Sequence, residues 1–203
     1  MLSQEGRYAE AAADLEHCHK VFSARGEPWW AGGSLLLAAF AHLGLGDVTT
    51  AAADCAAAIR IVEPLGDAWG LQHAEAALGR IAHATGRYAD AARHHERAAA
   101  ATERLGFPGA TALHLLHLAK AQLAADDPAA AATLERAAAG AERAGDRRLL
   151  TQTRVTRAEL LLAAGHRAAA HELLVAADRW YTESGAGEGA ELARELLQQA
   201  EPS

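Results

Sequence analysis

Small residues return along this chain at two intervals, seven within a segment and about forty between segments. One set is Ala11, Ala51, Ala91, Ala131 and Ala170; a second, seven residues on, is Cys18, Ala58, Ala98, Ala138 and Ala177. Seven residues make two helical turns, so these sets share one stripe of one helix. A third set, Ala39, Gly79, Ala119 and Ala158, marks the helix that precedes it. Strict apolar–polar alternation, the mark of a half-buried strand, is nowhere convincing, so the pattern predicts helices and no sheet.

Glycines punctuate the same period. Gly26, Gly66, Gly106, Gly145 and Gly185 are spaced by 40, 40, 39 and 40 residues. Gly6, Gly46, Gly86, Asp126 and Gly165 are spaced by 40, 40, 40 and 39. Both series lose one residue in the same part of the chain. A left-handed residue that ends a helix explains them, because glycine adopts that conformation without strain. Helices are expected at about Tyr8–Ala24, Pro28–Leu45, Val48–Glu63, Pro108–Ala125, Pro128–Ala144, Arg147–Ala164, Arg167–Ser184 and Glu188–Ala200, with two more between Asp67 and Leu105. Pro28, Pro108 and Pro128 suit a first helical turn, where no N–H is needed. Pro64 should end or bend its helix.

The expected fold is all-α, a right-handed superhelix (α-solenoid) of stacked antiparallel helix pairs forming one domain over 1–203. It divides into a half repeat at 1–26, full repeats at 27–66, 67–106, 107–145 and 146–185, and a capping helix at 187–200. The first segment lacks a first-helix partner. The expectation is a piece of a longer protein that begins in mid-repeat, the alternative being a lone helix that caps the stack.

Composition agrees with helix stacked on helix. Hydrophobic residues make up 51% of the chain but aromatics only 5%, and the excess is alanine, which loses no side-chain entropy in a helix. The net charge is -7, against a free-standing nucleic-acid binder with its basic face. Lysine occurs only at Lys20 and Lys120, and asparagine is absent, a bias of high-GC bacterial genomes. No stretch reads as a signal peptide or a membrane span, which points to a soluble, cytoplasmic protein. Cys18 and Cys55 lie among alanines and read as buried small hydrophobes.

Leu78-Gly79, Gly86-Arg87-Tyr88, Ala91 and Ala98 resemble the tetratricopeptide repeat. The forty-residue spacing, with HHERA at His94–Ala98 and Leu105-Gly106, resembles its longer variant, found in scaffold proteins of cell polarity and in large bacterial regulators. The resemblance implies a protein-interaction fold and covers Gly6 to about Gln199. It departs in two places. The scaffold relatives clamp an extended peptide with asparagines, which this chain lacks, and Arg157 stands where Leu78 and Leu118 stand in other repeats.

In such a stack the first helices line the inner surface. Three rows are expected to face it: Phe40, Arg80, Lys120 and Glu159; Leu36, Ala76, Leu116 and Val155; Gly33, His73, Leu113 and Gln152. Carboxylates of an acidic or C-terminal peptide would meet Arg80 and Lys120, unless these are ordinary solvated side chains. The candidate groove residues are thus Leu36, Phe40, His73, Arg80, Leu116, Lys120, Gln152 and Glu159. Trp29 and Trp30 either cover the first helix as core or belong to an exposed interface.

Catalytic and cofactor chemistry is not expected. His17 and His19 point about 200° apart on a helix. His114 and His117 share a face, but no further ligand completes a set. His171-Glu172 lacks the second histidine of a zinc-protease helix, and no phosphate-binding loop or nucleophile elbow occurs. The leading expectation is a non-catalytic scaffold or sensor part of a bacterial transcriptional or signalling regulator. Its partner would be a peptide, a protein or another domain of a longer parent chain. The alternatives are a module that senses a small-molecule inducer and a structural oligomerisation unit.

Overall fold

The computed structural model describes residues 4–185, 187 and 189–201. Ten α-helices and no strands occur among them: α1 (Gln4–Ala24), α2 (Pro28–Gly44), α3 (Val48–Val62), α4 (Ala68–Ala84), α5 (Tyr88–Arg104), α6 (Pro108–Ala124), α7 (Ala130–Ala144), α8 (Arg147–Ala163), α9 (Arg167–Ser184) and α10 (Ala190–Ala200). A single 3-10 turn, Glu63–Leu65, holds Pro64 directly after α3. No described helix is long and apolar enough to cross a membrane.

The chain divides into two compact units, Met1–Thr102 and Glu103–Ser203. In the first, α1 packs on α2, α2 on α3, α3 on α4, and α2 also on α4. In the second, α6 packs on α7, α7 on α8, α8 on α9 and α9 on α10, while α6 and α10 both touch α8. Within each unit these helices thus rest on their chain neighbours, and the first helices α2 and α4, and α6 and α8, touch. This all-α stacking is that of an α-solenoid.

Both punctuation series appear in the backbone. Gly26, Gly46, Gly66, Gly86, Gly106, Gly145, Gly165 and Gly185 all have positive φ, between 63° and 80°, and Asp126 has φ 54°. Asp126 is the non-glycine residue in that region among those described, and aspartate tolerates it better than most. Gly6 is the exception, since it lies inside α1 rather than in a turn. Its neighbours Gln4, Glu5 and Arg7 are good helix formers, and a helical glycine costs only about 1 kcal/mol.

At four of these turns an aspartate follows the left-handed residue and takes up backbone N–H groups of the next turn. Asp47 accepts from Thr50 N at 3.0 Å, Asp67 from Trp69 N at 3.1 Å, Asp127 from Ala129 N at 2.9 Å and Asp146 from Leu149 N at 2.9 Å. The left-handed residue stops one helix, and Asp47, Asp67 and Asp146 cap the next; Asp127 instead holds the turn before α7, whose N-cap is Ala129.

The small-residue stripe is buried, with one shift of register. Ala51, Ala58, Ala91, Ala98, Ala170 and Ala177 are in the core, as are Ala39, Ala119 and Ala158. In α7 the buried pair is Ala130 and Ala137, not Ala131 and Ala138. Pro128 correspondingly lies in the turn and does not start α7. The residue lost from the period has therefore been lost between Asp126 and Ala130, and the helix keeps its register counted back from Gly145. Ala11 and Cys18, on α1, are only partly buried.

Candidate interaction face

The first unit presents α2 and α4. Packing of α2 on α1, α3 and α4 closes most of its circumference and leaves Gly33, Leu37 and Phe40 as a strip. These are spaced i, i+4, i+7 and fall on one face. On α4 the half-buried His73 and Arg80 are likewise seven residues apart. The Arg80 guanidinium lies over the Phe40 ring, 5.3 Å from its centroid. Residues forty apart in sequence thus stand in cation–π contact.

The row containing Leu36 does not belong to this face. Leu36 is 1% exposed and sits in a core cluster with Leu35, Ala39, Ala51, Cys55 and Ile81; Ala76 is buried as well. Leu37, one residue on, is 48% exposed. Three consecutive leucines at 35–37 hide the distinction, because a helix covered on several sides has no single apolar stripe to read.

In the second unit α6 and α8 repeat the arrangement. Leu116 is 1% exposed and Val155 is 4% exposed, so both are core rather than lining. The open strip on α6 is Leu113, His117 and Lys120, spaced like Gly33, Leu37 and Phe40. Lys120 and Glu159 are half-buried on α6 and α8. Burial raises the Glu159 carboxyl above its ordinary pKa, and the nearby Lys120 charge opposes this in part. Gln152 lines a cleft of about 200 Å³ with Gly109, Leu113, Asp146, Arg148 and Leu149.

Paired side chains tie first helices to second ones. His42 Nδ1 and Asp54 Oδ2 are 2.7 Å apart, with Glu16 Oε1 3.8 Å from His42 Nε2. A second such pair joins Glu75 Oε2 to His94 Nδ1 at 2.6 Å, with Arg97 at 3.5 Å from Glu75 Oε1; His94 stands forty residues after Asp54, but Glu75 is not the counterpart of His42. Sequence reading passed over these pairs, because each joins two helices and no spacing within one helix reveals it. No group of three or more His, Cys, Asp or Glu placed to hold a metal occurs among the described residues.

Trp29, Trp30 and Trp69 are not core. They are 39%, 53% and 40% exposed and belong to a run of rings at the starts of α2 and α4. The centroid of Phe22 lies 5.8 Å from that of Trp30, Trp30 4.5 Å from Trp29, Trp29 5.6 Å from Trp69, and Trp69 4.1 Å from the His73 ring. Burial lowers the His73 pKa, while Asp67 pulls it the other way.

Compared with known proteins, the chain matches no family model and no curated protein sequence.

Proposed function

We propose that this chain is a non-catalytic protein-interaction module, a tetratricopeptide-type repeat region of a bacterial transcriptional or signalling regulator. It acts in the cytoplasm and takes a peptide or protein segment on the open faces of its first helices. The observation that carries this reading is the contact of Arg80 with Phe40. Positions equivalent by the forty-residue period are adjacent in space on α2 and α4, so a partner laid across these helices meets side chains in a fixed order. A half-open guanidinium beside an aromatic ring suits a carboxylate flanked by an apolar side chain. In the second unit Lys120 offers the corresponding cation near Glu159.

The test is calorimetric titration of the chain with acidic and free-C-terminal peptides, against the same peptides amidated. Arg80→Glu and Lys120→Glu should each weaken binding by at least about tenfold if each charge-assisted contact contributes its usual share. Unchanged affinity in both variants removes the assignment of these faces. A small metabolite that raises the melting temperature of peptide-free protein would instead favour an inducer-sensing module.

A further inference from the structure

The ring series of the first unit has properties that core packing does not need. The chain has four tryptophans, and three of them are exposed neighbours. The Trp29 and Trp30 planes meet at 90°, so they form two walls of a corner, and Trp69 extends the Trp29 wall at 33°. Carboxylates stand at both ends. Glu27 directly precedes Pro28-Trp29-Trp30, and its side chain makes no capping hydrogen bond to α2. Asp67 Oδ1 accepts from the Trp69 backbone N–H. A cleft of about 440 Å³, lined by Ser23, Gly26, Glu27, Pro28, Ala31 and Ile61, reaches the two residues that precede Trp29. Residues 1–102 carry twelve acids against eight Lys and Arg.

We infer that this corner binds an arginine side chain of a basic peptide segment. Indole faces are electron-rich and attract a cation within about 6 Å of the ring centre. The guanidinium is flat and weakly hydrated, so it stacks on tryptophan where an ammonium keeps its water. The cleft has room for the aliphatic stem, and Glu27 at its rim would pair with the head. An apolar partner fits less well, because covering the rings would desolvate Glu27 and Asp67 without neutralising them. Burial keeps the proton off His73, so the far end of the series is a neutral wall and does not repel a cation. The inference stands apart from the carboxylate reading of Arg80 and shares with that face only His73.

The full chain is titrated with an end-capped tetra-arginine peptide and, separately, with tetra-glutamate. Tryptophan fluorescence and the indole N–H resonances are followed, and circular dichroism checks each variant. The expected result is a saturable response to tetra-arginine that shifts the Trp29, Trp30 and Trp69 signals and leaves Trp180 unchanged. Trp30→Ala and Trp69→Ala should each weaken it by about tenfold. Glu27→Gln with Asp67→Asn should weaken it several-fold and reduce its salt dependence; asparagine still caps α4. The inference is overturned by an absent response, by an equal response to tetra-glutamate, or by an unchanged affinity in the Glu27→Gln/Asp67→Asn variant. It is also overturned if a proline-rich peptide binds more tightly than tetra-arginine. Light scattering that shows a dimer dispersed by Trp30→Ala would overturn it too, since a second copy would then cover the rings.

Discussion

The His95 ring occupies the space into which a side chain on Gly79 would grow. A Cβ built on Gly79 would lie 2.6 Å from His95 Nε2, and His95 is 1% exposed. The equivalent second-helix positions hold Cys55, Leu134 and Leu174, all buried, and the equivalents of Gly79 are alanines. Only here does the larger ring stand opposite, and only here is the methyl missing. In most exposed helices Gly→Ala stabilises by about 1 kcal/mol. Gly79→Ala should instead destabilise by about 1–3 kcal/mol through overpacking. Combining it with His95→Cys should recover most of that loss. Urea midpoints of the two single variants and the double variant check the coupling; additive effects would deny the contact.

Asp126 holds a left-handed φ of 54° where its counterparts are glycines. Its Cβ costs about 1–2 kcal/mol there, less for a residue that bonds locally. Asp126→Gly should therefore raise stability by up to about 1 kcal/mol, less the flexibility that glycine adds to the unfolded chain. The reverse change, Gly86→Ala at φ 73°, should lower it by about 1–2 kcal/mol. Thermal melting of both variants gives the comparison.

Two half-buried groups tilt stability with pH in opposite senses. His73 has its folded pKa below the ordinary 6.5 because burial disfavours the cation. The unfolded chain then binds more protons, so the stability linked to His73 is present above pH 6.5 and is lost as pH falls from there through the folded pKa. His73→Gln should flatten that fall. Glu159 has its folded pKa above the ordinary 4.5, again through burial. Its contribution is greatest below pH 4.5 and is lost as pH rises through the folded pKa. Glu159→Gln should raise stability at neutral pH and change it little near pH 4. Denaturant titrations across this range separate the two, and a His73→Gln profile parallel to that of the parent would refute the first.

Cys55 is fully buried, donates to the Ala74 carbonyl at 3.6 Å and has its thiol pushed up to about 11, mainly by burial. Cys18 is half-buried on α1. Since the thiolate is the reactive form, Cys18 should be labelled first by a disulfide reagent near pH 8. Cys55 should wait for unfolding. Equal rates for the two, read by mass spectrometry after digestion, would contradict this burial.

The repeat period was legible because it rests on backbone conformation, which glycine announces in the sequence. The stripe was legible for a related reason, since only alanine, glycine and cysteine fit where paired helices meet. Register within α7 was not, because counting forward from Asp126 carries the lost residue into the helix. The side-chain rows of the first helices were half legible. Phe40 and Arg80 do meet, but Leu36 and Leu116 are core and Leu37 and His117 are open, and runs such as Leu35–Leu37 offer no polar residue to fix the angle. The turn aspartates were in plain view after Gly46, Gly66, Asp126 and Gly145. The links from His42 to Asp54 and from Glu75 to His94 were not, because they depend on which helices touch.

The turn between α6 and α7 shows where this chain tolerates a change of length. Removing a residue inside a helix would rotate all that follows by about 100° and carry a buried alanine toward solvent. Removing one between a left-handed residue and the next helix leaves both faces as they were. Insertions and deletions, whether inherited or engineered, should therefore survive between a left-handed residue and the next helix, as after Gly46, Gly86, Asp126 and Gly165, and inside a helix only in steps of a complete forty-residue unit.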